Sequence, residues 1–183
     1  ETFNWTNSNP LINLSASGTG NIGGFTASTN TGSGPVTGTI TVTGTKGGCT
    51  GPVMSFTITI NPEPVVSTTL DATVCSNTST GVTLNTNGTS VGASSYTINS
   101  ITVSSGLTPQ SGNATTGAGQ ASNAMVNDKF TNPGNAALTV VYNVTALSGA
   151  GCTSASQNIT VTINPEPVVS TTLNASVCSG AAT

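Results

Sequence analysis

A twelve-residue phrase that occurs twice constrains this chain more than any other feature. TINPEPVVSTTL stands at residues 59–70 and again at residues 162–173, an offset of 103 positions. The four cysteines obey the same offset, in the pairs Cys49 with Cys152 and Cys75 with Cys178. Such self-similarity predicts a tandem array. A period near 100 residues is too long for one coil of a solenoid and fits one small β-sandwich per repeat.

The repeat divides the chain into three parts, of which only the middle one is expected to be a complete repeat. We expect residues 1–65 to be the C-terminal part of a first Ig-like repeat, residues 66–168 a complete repeat, and residues 169–183 the start of a third. No leader sequence opens the chain, which begins inside a strand pattern at Glu1. We therefore expect a piece of a longer protein.

The pattern of side chains predicts an all-β fold. Only 4% of the residues are charged, yet disorder is disfavoured because Val and Ile alternate with Thr instead of being scattered. This alternation predicts strands at 37–43, 54–60, 81–85, 96–103, 137–146 and 158–163. Gly- and Asn-rich turns separate them. We predict tandem Ig-like antiparallel β-sandwich domains with about seven strands in a complete repeat, joined end to end by Pro-rich linkers.

The linkers contain the most closely repeated residues of the chain, namely Pro62, Glu63 and Pro64, and then Pro165, Glu166 and Pro167. Two prolines in three residues remove N–H donors and hold the backbone extended. A semi-rigid spacer is the favoured interpretation. The alternative is a simple strand terminator.

The cysteines favour disulfides over a metal site, because the chain has no histidine and no Cys-x-x-Cys pair. Two pairings respect the repeat: Cys49–Cys75 with Cys152–Cys178, or Cys75–Cys152 within one domain. A bridge needs Cα atoms within about 7 Å. We expect the first strand of a sandwich to start at the pole that holds the last hairpin turn, which favours Cys75–Cys152. Cys49 and Cys178 would then pair outside this chain, in an oxidising compartment.

Composition argues against several functional classes. Two lysines cannot form a basic groove for nucleic acid, and no apolar run is long enough for membrane insertion. Without histidine or close paired carboxylates we expect no catalysis and no cofactor. Asp128-Lys129 is predicted to lie in a solvated turn. Calcium at the linkers is disfavoured, because each offers one glutamate, with Asp71 near only one of them.

Several stretches resemble the PKD-like or Ig-like repeats of Bacteroidota cell-surface proteins. The matching motifs are Val177-Cys178-Ser179-Gly180, Phe3-Asn4-Trp5-Thr6, Ala16–Ile22, Pro35-Val36-Thr37 and Gly48-Cys49-Thr50-Gly51-Pro52. The resemblance covers nearly all of residues 1–66 and is looser afterwards. It implies a giant adhesin or gliding-motility surface protein that is exported by the type IX system.

This resemblance implies a structural stalk or filament segment of an extracellular adhesin. Its partners would be neighbouring repeats, with self-association into filaments and surface glycans as further expectations. The alternative is a carbohydrate-binding module of a secreted enzyme, which needs exposed aromatic side chains. We expect Trp5 to be core instead. The Thr-rich strands are similar to ice-binding surfaces, but a 103-residue period builds no flat Thr ladder.

Overall fold

The computed structural model describes residues 1–167, 169, 176 and 178–180. In this part of the chain all regular structure is β, apart from one 3₁₀ turn at Pro10–Ile12. The predicted all-β class with antiparallel sheets is confirmed. The division at residues 65 and 168 stays a prediction, and most of the expected third repeat lies outside the described residues.

Residues 2–60, which we call the upstream unit, form one antiparallel sheet. Its strands are β1 (Thr2–Asn7), β2 (Ser17–Thr19), β3 (Val36–Lys46) and β4 (Cys49–Ile60), in the spatial order β2-β1-β3-β4. β3 and β4 pair over most of their length and are joined by Gly47-Gly48. Both glycines have positive φ, 59° and 82°, which a two-residue hairpin with the twist of the strands requires.

The core of the upstream unit is small and is built around the single tryptophan. Trp5 is buried with Ile12, Leu14 and Ile40, as predicted. Gly18 on the neighbouring strand lies under the indole, since a Cβ added there would be 2.3 Å from the Cζ2 atom of Trp5. A side chain at this position would overpack the core.

Residues 66–164, which we call the downstream unit, have seven strands. These are β5 (Ala72–Cys75), β6 (Ala93–Val103), β7 (Thr108–Pro109), β8 (Gly117–Gln120), β9 (Phe130–Thr131), β10 (Leu138–Ser148) and β11 (Gln157–Asn164). Five of them form a sheet of order β5-β11-β10-β6-β8, and β7 pairs with β9. β5 runs parallel to β11, whereas the other pairs are antiparallel.

A second layer covers this sheet with mostly irregular extended chain. Residues 81–85, which were predicted to form a strand, belong to this second layer but form no regular strand. Their backbone makes isolated hydrogen bonds, such as Leu84 N–H to Ser122 O at 2.8 Å. The two layers enclose one core. Its largest fully buried side chains include Tyr142, Phe130, Leu84, Ile98, Met125, Ile159 and Ile163.

The two sheets share one strand order, with one exception. β2-β1-β3-β4 corresponds to β8-β6-β10-β11, but β5 has no counterpart among the described residues next to β4. The consequence is visible in burial. Phe56 on β4 is 47% exposed, whereas Ile159, 103 positions later on β11, is 1% exposed.

Candidate functional site

The predicted linker around Pro62 is held on both sides by hydrogen bonds. Pro62 and Pro64 are buried and have no N–H groups. Between and after them, Glu63 N–H donates to Asn30 O in the upstream unit at 2.8 Å, and Val65 N–H donates to Ser90 Oγ in the downstream unit at 3.0 Å. The segment therefore leaves neither of these N–H groups unpaired.

Further contacts join the two units directly. Val91 N–H of the downstream unit donates to Gly32 O of the upstream unit at 3.0 Å. The thiol of Cys152 lies 3.8 Å from Asn61 O, at the end of β4. Thr31, Pro64 and Ser156 line a common cleft. Residues 61–65 are thus packed against both units.

A buried asparagine fixes the loop on which the linker rests. The Nδ2 group of Asn30 donates to Gly34 O at 2.9 Å and to Ile60 O at 3.1 Å. Its Oδ1 atom accepts from Gly32 N–H at 3.1 Å. The side chain thereby ties the loop, which contacts both Glu63 and Val91, to the last residue of β4.

The downstream unit repeats this arrangement at Asn132. Its Nδ2 group donates to Ala136 O at 2.9 Å and to Ile163 O at 2.8 Å, and its Oδ1 atom accepts from Gly134 N–H at 3.1 Å. We call these two side chains the asparagine clamps. The sequence pattern did not single them out, because Asn-x-Gly looks like an ordinary turn.

The second linker has identical residues in a different environment. Pro165 is half-buried, and Glu166 and Pro167 are exposed. Oε1 of Glu166 accepts from Nδ2 of Asn77 at 3.2 Å. The prolines of the same Pro-Glu-Pro sequence are therefore buried at the first linker, which the downstream unit follows.

The expected Cys75–Cys152 disulfide is not formed. Both residues are free thiols, as are Cys49 and Cys178. Cys75 pairs with Asn164 at the end of β11, whereas Cys152 precedes the start of β11. An eight-residue strand separates them by about 25 Å at 3.3 Å per residue, far beyond bridging distance. The first strand does start from the pole of the last hairpin turn, since β5 runs parallel to β11, but Cys75 is the last residue of β5 and therefore lies at the opposite pole.

The carboxylates do not gather into a metal site in the part of the chain that the structure describes. Oδ1 of Asp71 accepts from Thr160 N–H at 2.7 Å, which extends the pairing of β5 with β11. This carboxylate is therefore used for strand pairing.

Asp128 is not in a solvated turn, contrary to expectation. Its side chain is buried and accepts hydrogen bonds from Tyr142 OH at 2.6 Å and from Ala114 N–H at 2.7 Å. Burial raises the pKa of Asp128, and the two hydrogen bonds oppose that shift. Burial and the neighbouring carboxylate both raise the pKa of Tyr142. The pair ties an otherwise irregular loop to the centre of β10.

This pair predicts an unusual pH dependence of stability. The folded protein holds the Asp128 proton more tightly than the unfolded chain does, so its contribution to the free energy of unfolding should rise as pH falls through the raised pKa. That contribution should be complete below the ordinary value of 3.8. Urea denaturation between pH 3 and 7 measures it. In the Asp128→Asn control this rise in the free energy of unfolding at low pH should vanish. An unchanged pH profile of stability in that variant would contradict the role of Asp128.

The aromatic side chains do not form a planar binding surface centred on Trp5, which is buried. Its Nε1 atom has no hydrogen-bond partner in the structure. Phe3, Phe25 and Phe56 are the exposed aromatic residues of the described chain. Phe56 occupies the position of a core residue in the downstream unit, which indicates incomplete packing at that site.

Comparison with known proteins gives one family. The family model for the PKD-like domain matches residues 72–167, slightly more than half of the chain. No curated protein matches the chain significantly. Separately, no helix in the described residues has the length and hydropathy that crossing a bilayer requires.

Proposed function

Since the chain belongs to the PKD-like domain family, a typically extracellular domain type that is often structural or adhesive, we propose that it is a non-catalytic stalk segment of a bacterial surface adhesin. The stalk would consist of tandem repeats in which each Pro-Glu-Pro linker sets the orientation of the next. Its partners would be neighbouring repeats and, in a filament, further copies of the chain.

The observation that carries this proposal is the linker at Pro62–Pro64. A stalk transmits force only if its segments resist bending, and flexible linkers do not provide this resistance. Here both prolines are buried, and Glu63 N–H bonds to the upstream unit. Val91 N–H and the thiol of Cys152 reach back from the downstream unit. These contacts favour a fixed angle between the units.

The chemistry of the surface supports a passive role. The chain has no histidine, two lysines and five acidic residues. Asp128, the acid with the raised pKa, is buried and accepts a hydrogen bond from the core residue Tyr142. General acid–base catalysis needs a titratable group that faces substrate, and Asp128 does not meet this requirement.

The proposed source is a Bacteroidota cell-surface protein exported by the type IX system. This part of the proposal rests on the resemblance of residues 1–66 and of Val177-Cys178-Ser179-Gly180 to the repeats of such adhesins. Flanking sequence with further repeats and a sorting domain would support it, whereas an intracellular parent protein would contradict it.

Replacing both prolines of the first linker with glycine tests the stalk. Pro62→Gly/Pro64→Gly should free the backbone of the linker and add about 0.4–1 kcal/mol of unfolded-state entropy per site. Small-angle X-ray scattering should show a single extended conformer for the native chain and a broadened distance distribution for the variant. Pro165→Gly/Pro167→Gly, the same change at the second linker, where Pro165 is half-buried and Pro167 is exposed, is the matched control and should leave the scattering unchanged. Equal profiles for all three chains would contradict the proposal.

A further inference from the structure

Asn87 and Gly88 form the single Asn-Gly dipeptide of the chain. They lie in the loop that leads from residues 81–85 to β6, and both residues are exposed. Gly88 has a positive φ of 80°, and a Cβ added to it would meet no atom within 4 Å. The main chain at Gly88 is therefore open to water and is not crowded by neighbouring side chains.

The side chain of Asn87 is held at its oxygen and free at its nitrogen. Its Oδ1 atom accepts from Thr89 N–H at 3.1 Å and from Ser90 N–H at 2.9 Å. Its Nδ2 group donates to no residue in the part of the chain that the structure describes. The loop thus fixes the side-chain carbonyl next to the Gly88 nitrogen, while nothing retains the amide nitrogen.

The asparagine clamps show the opposite arrangement. Asn30 and Asn132 are buried, and the Nδ2 group of each donates two hydrogen bonds. Asn132 is also followed by Pro133, whose nitrogen carries no hydrogen and cannot act as a nucleophile. Asparagine turns of the same kind are therefore protected at the clamps and reactive at Asn87.

We propose that Asn87 is a site of spontaneous modification, at which the main chain rearranges to isoaspartate. The Gly88 nitrogen bonds to Cγ of Asn87 and gives up its proton, and the Nδ2 group leaves as ammonia. Water then opens the cyclic imide at one of its two carbonyl groups, which yields either aspartate or isoaspartate. Each conversion consumes one water and releases one ammonia.

The hydrogen bonds to Oδ1 assist the first step. Negative charge develops on Oδ1 when the Gly88 nitrogen adds to Cγ, and two N–H groups already donate to that atom. Donors that are fixed in advance at a developing oxyanion lower the barrier. The loop therefore combines an unhindered nucleophile with a polarised carbonyl.

The product alters the contact between the two units, because this loop is part of that contact. Asn87 N–H donates to Val65 O at 2.9 Å, and Val65 N–H donates to Ser90 Oγ at 3.0 Å. Val91 N–H donates to Gly32 O of the upstream unit at 3.0 Å. Isoaspartate adds one methylene to the main chain within this bonded loop. The three hydrogen bonds then cannot all keep their geometry, so the junction should loosen.

Incubation of the native chain at pH 8 tests the modification. Isoaspartate should accumulate at Asn87 with release of ammonia, and mass spectrometry of peptides with electron-transfer fragmentation locates it. The other described asparagines should react far more slowly. Asn87→Gln keeps a side-chain amide and should form no isoaspartate at this position. An Asn87 that stays intact, or ammonia release from Asn87→Gln at the native rate, would overturn the proposal.

Two variants separate the contribution of the loop from that of the dipeptide. Thr89→Pro removes one of the two donors to Oδ1 and should slow the formation of isoaspartate about tenfold. Thr89→Ala keeps this N–H group and should react like the native chain. Equal rates in all three chains would contradict the assistance by the loop.

The effect on the junction is measured on the purified isoaspartyl chain. Asn87→Asp carries the same new charge on an unaltered main chain and is the matched control. Hydrogen exchange of the Val65 and Val91 amides should accelerate in the isoaspartyl chain and stay near the native rate in Asn87→Asp. Equal exchange in these two chains would contradict the loosening. The result is independent of the proposed stalk, since the variants of Pro62 and Pro64 test the stalk in unmodified protein.

Discussion

Replacing Tyr142 with alanine should lower the free energy of unfolding of the PKD-like domain by about 3–5 kcal/mol. Tyr142 is fully buried at the centre of β10, so the truncation leaves a large cavity. The change also removes the hydroxyl that donates to Asp128 at 2.6 Å. The remaining carboxylate would keep only the bond from Ala114 N–H, and a buried charge that loses a donor adds to the cost.

Tyr142→Phe separates these two effects. The phenylalanine ring fills the space and lacks only the hydroxyl, so the loss should be about 1–3 kcal/mol. Urea denaturation at pH 7, followed by the fluorescence of Tyr96 or by circular dichroism, measures both variants. If the phenylalanine variant were as stable as the native chain, the hydrogen bond to Asp128 would make no net contribution. If the alanine variant lost no more than the phenylalanine variant, the core assignment of Tyr142 would be wrong.

The second large effect is expected at the asparagine clamps. Asn132→Ala removes two donors at once and leaves the carbonyls of Ala136 and Ile163 without that partner. The bond to Ile163 O is buried, and a buried group left unpaired costs about 1–3 kcal/mol, whereas the bond to Ala136 O is partly buried and adds less. We therefore expect the domain to lose about 3 kcal/mol of unfolding free energy, measured by urea denaturation.

Asn30→Ala is the matched variant in the upstream unit. The hydrogen bonds are the same in kind, but Asn30 is 9% exposed where Asn132 is 2% exposed. Water can reach the freed groups more easily, so the loss should be smaller. Its additional effect should appear at the linker, because Asn30 O accepts from Glu63 N–H. Hydrogen exchange of the Glu63 amide should accelerate in Asn30→Ala and stay unchanged in Asn132→Ala; the opposite order would contradict the clamp.

Much of the sheet can be read from the sequence, because local alternation determines it. The Thr and Val pattern of β3 predicts which face of the strand is buried, and Gly47-Gly48 predicts the hairpin that follows it. The burial of Trp5 follows from its place in a short strand of a sandwich. These features depend on neighbours along the chain or one hairpin away.

The features that were mispredicted depend on distant pairings. Nothing in the alternation of residues 72–75 says that β5 ends at Cys75 opposite Asn164, the last residue of β11, and that register decides which pole receives Cys75. The burial of Asp128, which lies in an irregular loop, requires Tyr142, which reaches it from β10. The asparagine clamps were missed for the same reason, since Asn30 bonds to Ile60, thirty positions away.

The central claim is that the Pro62–Pro64 linker holds the two units at one angle. Backbone ¹⁵N relaxation of the reduced chain tests it most directly, with amides of β3 and β4 compared with amides of β10 and β11. Our account predicts that both sets fit a single anisotropic diffusion tensor. Two distinct correlation times, one for each unit, would mean that the units tumble independently and would contradict it.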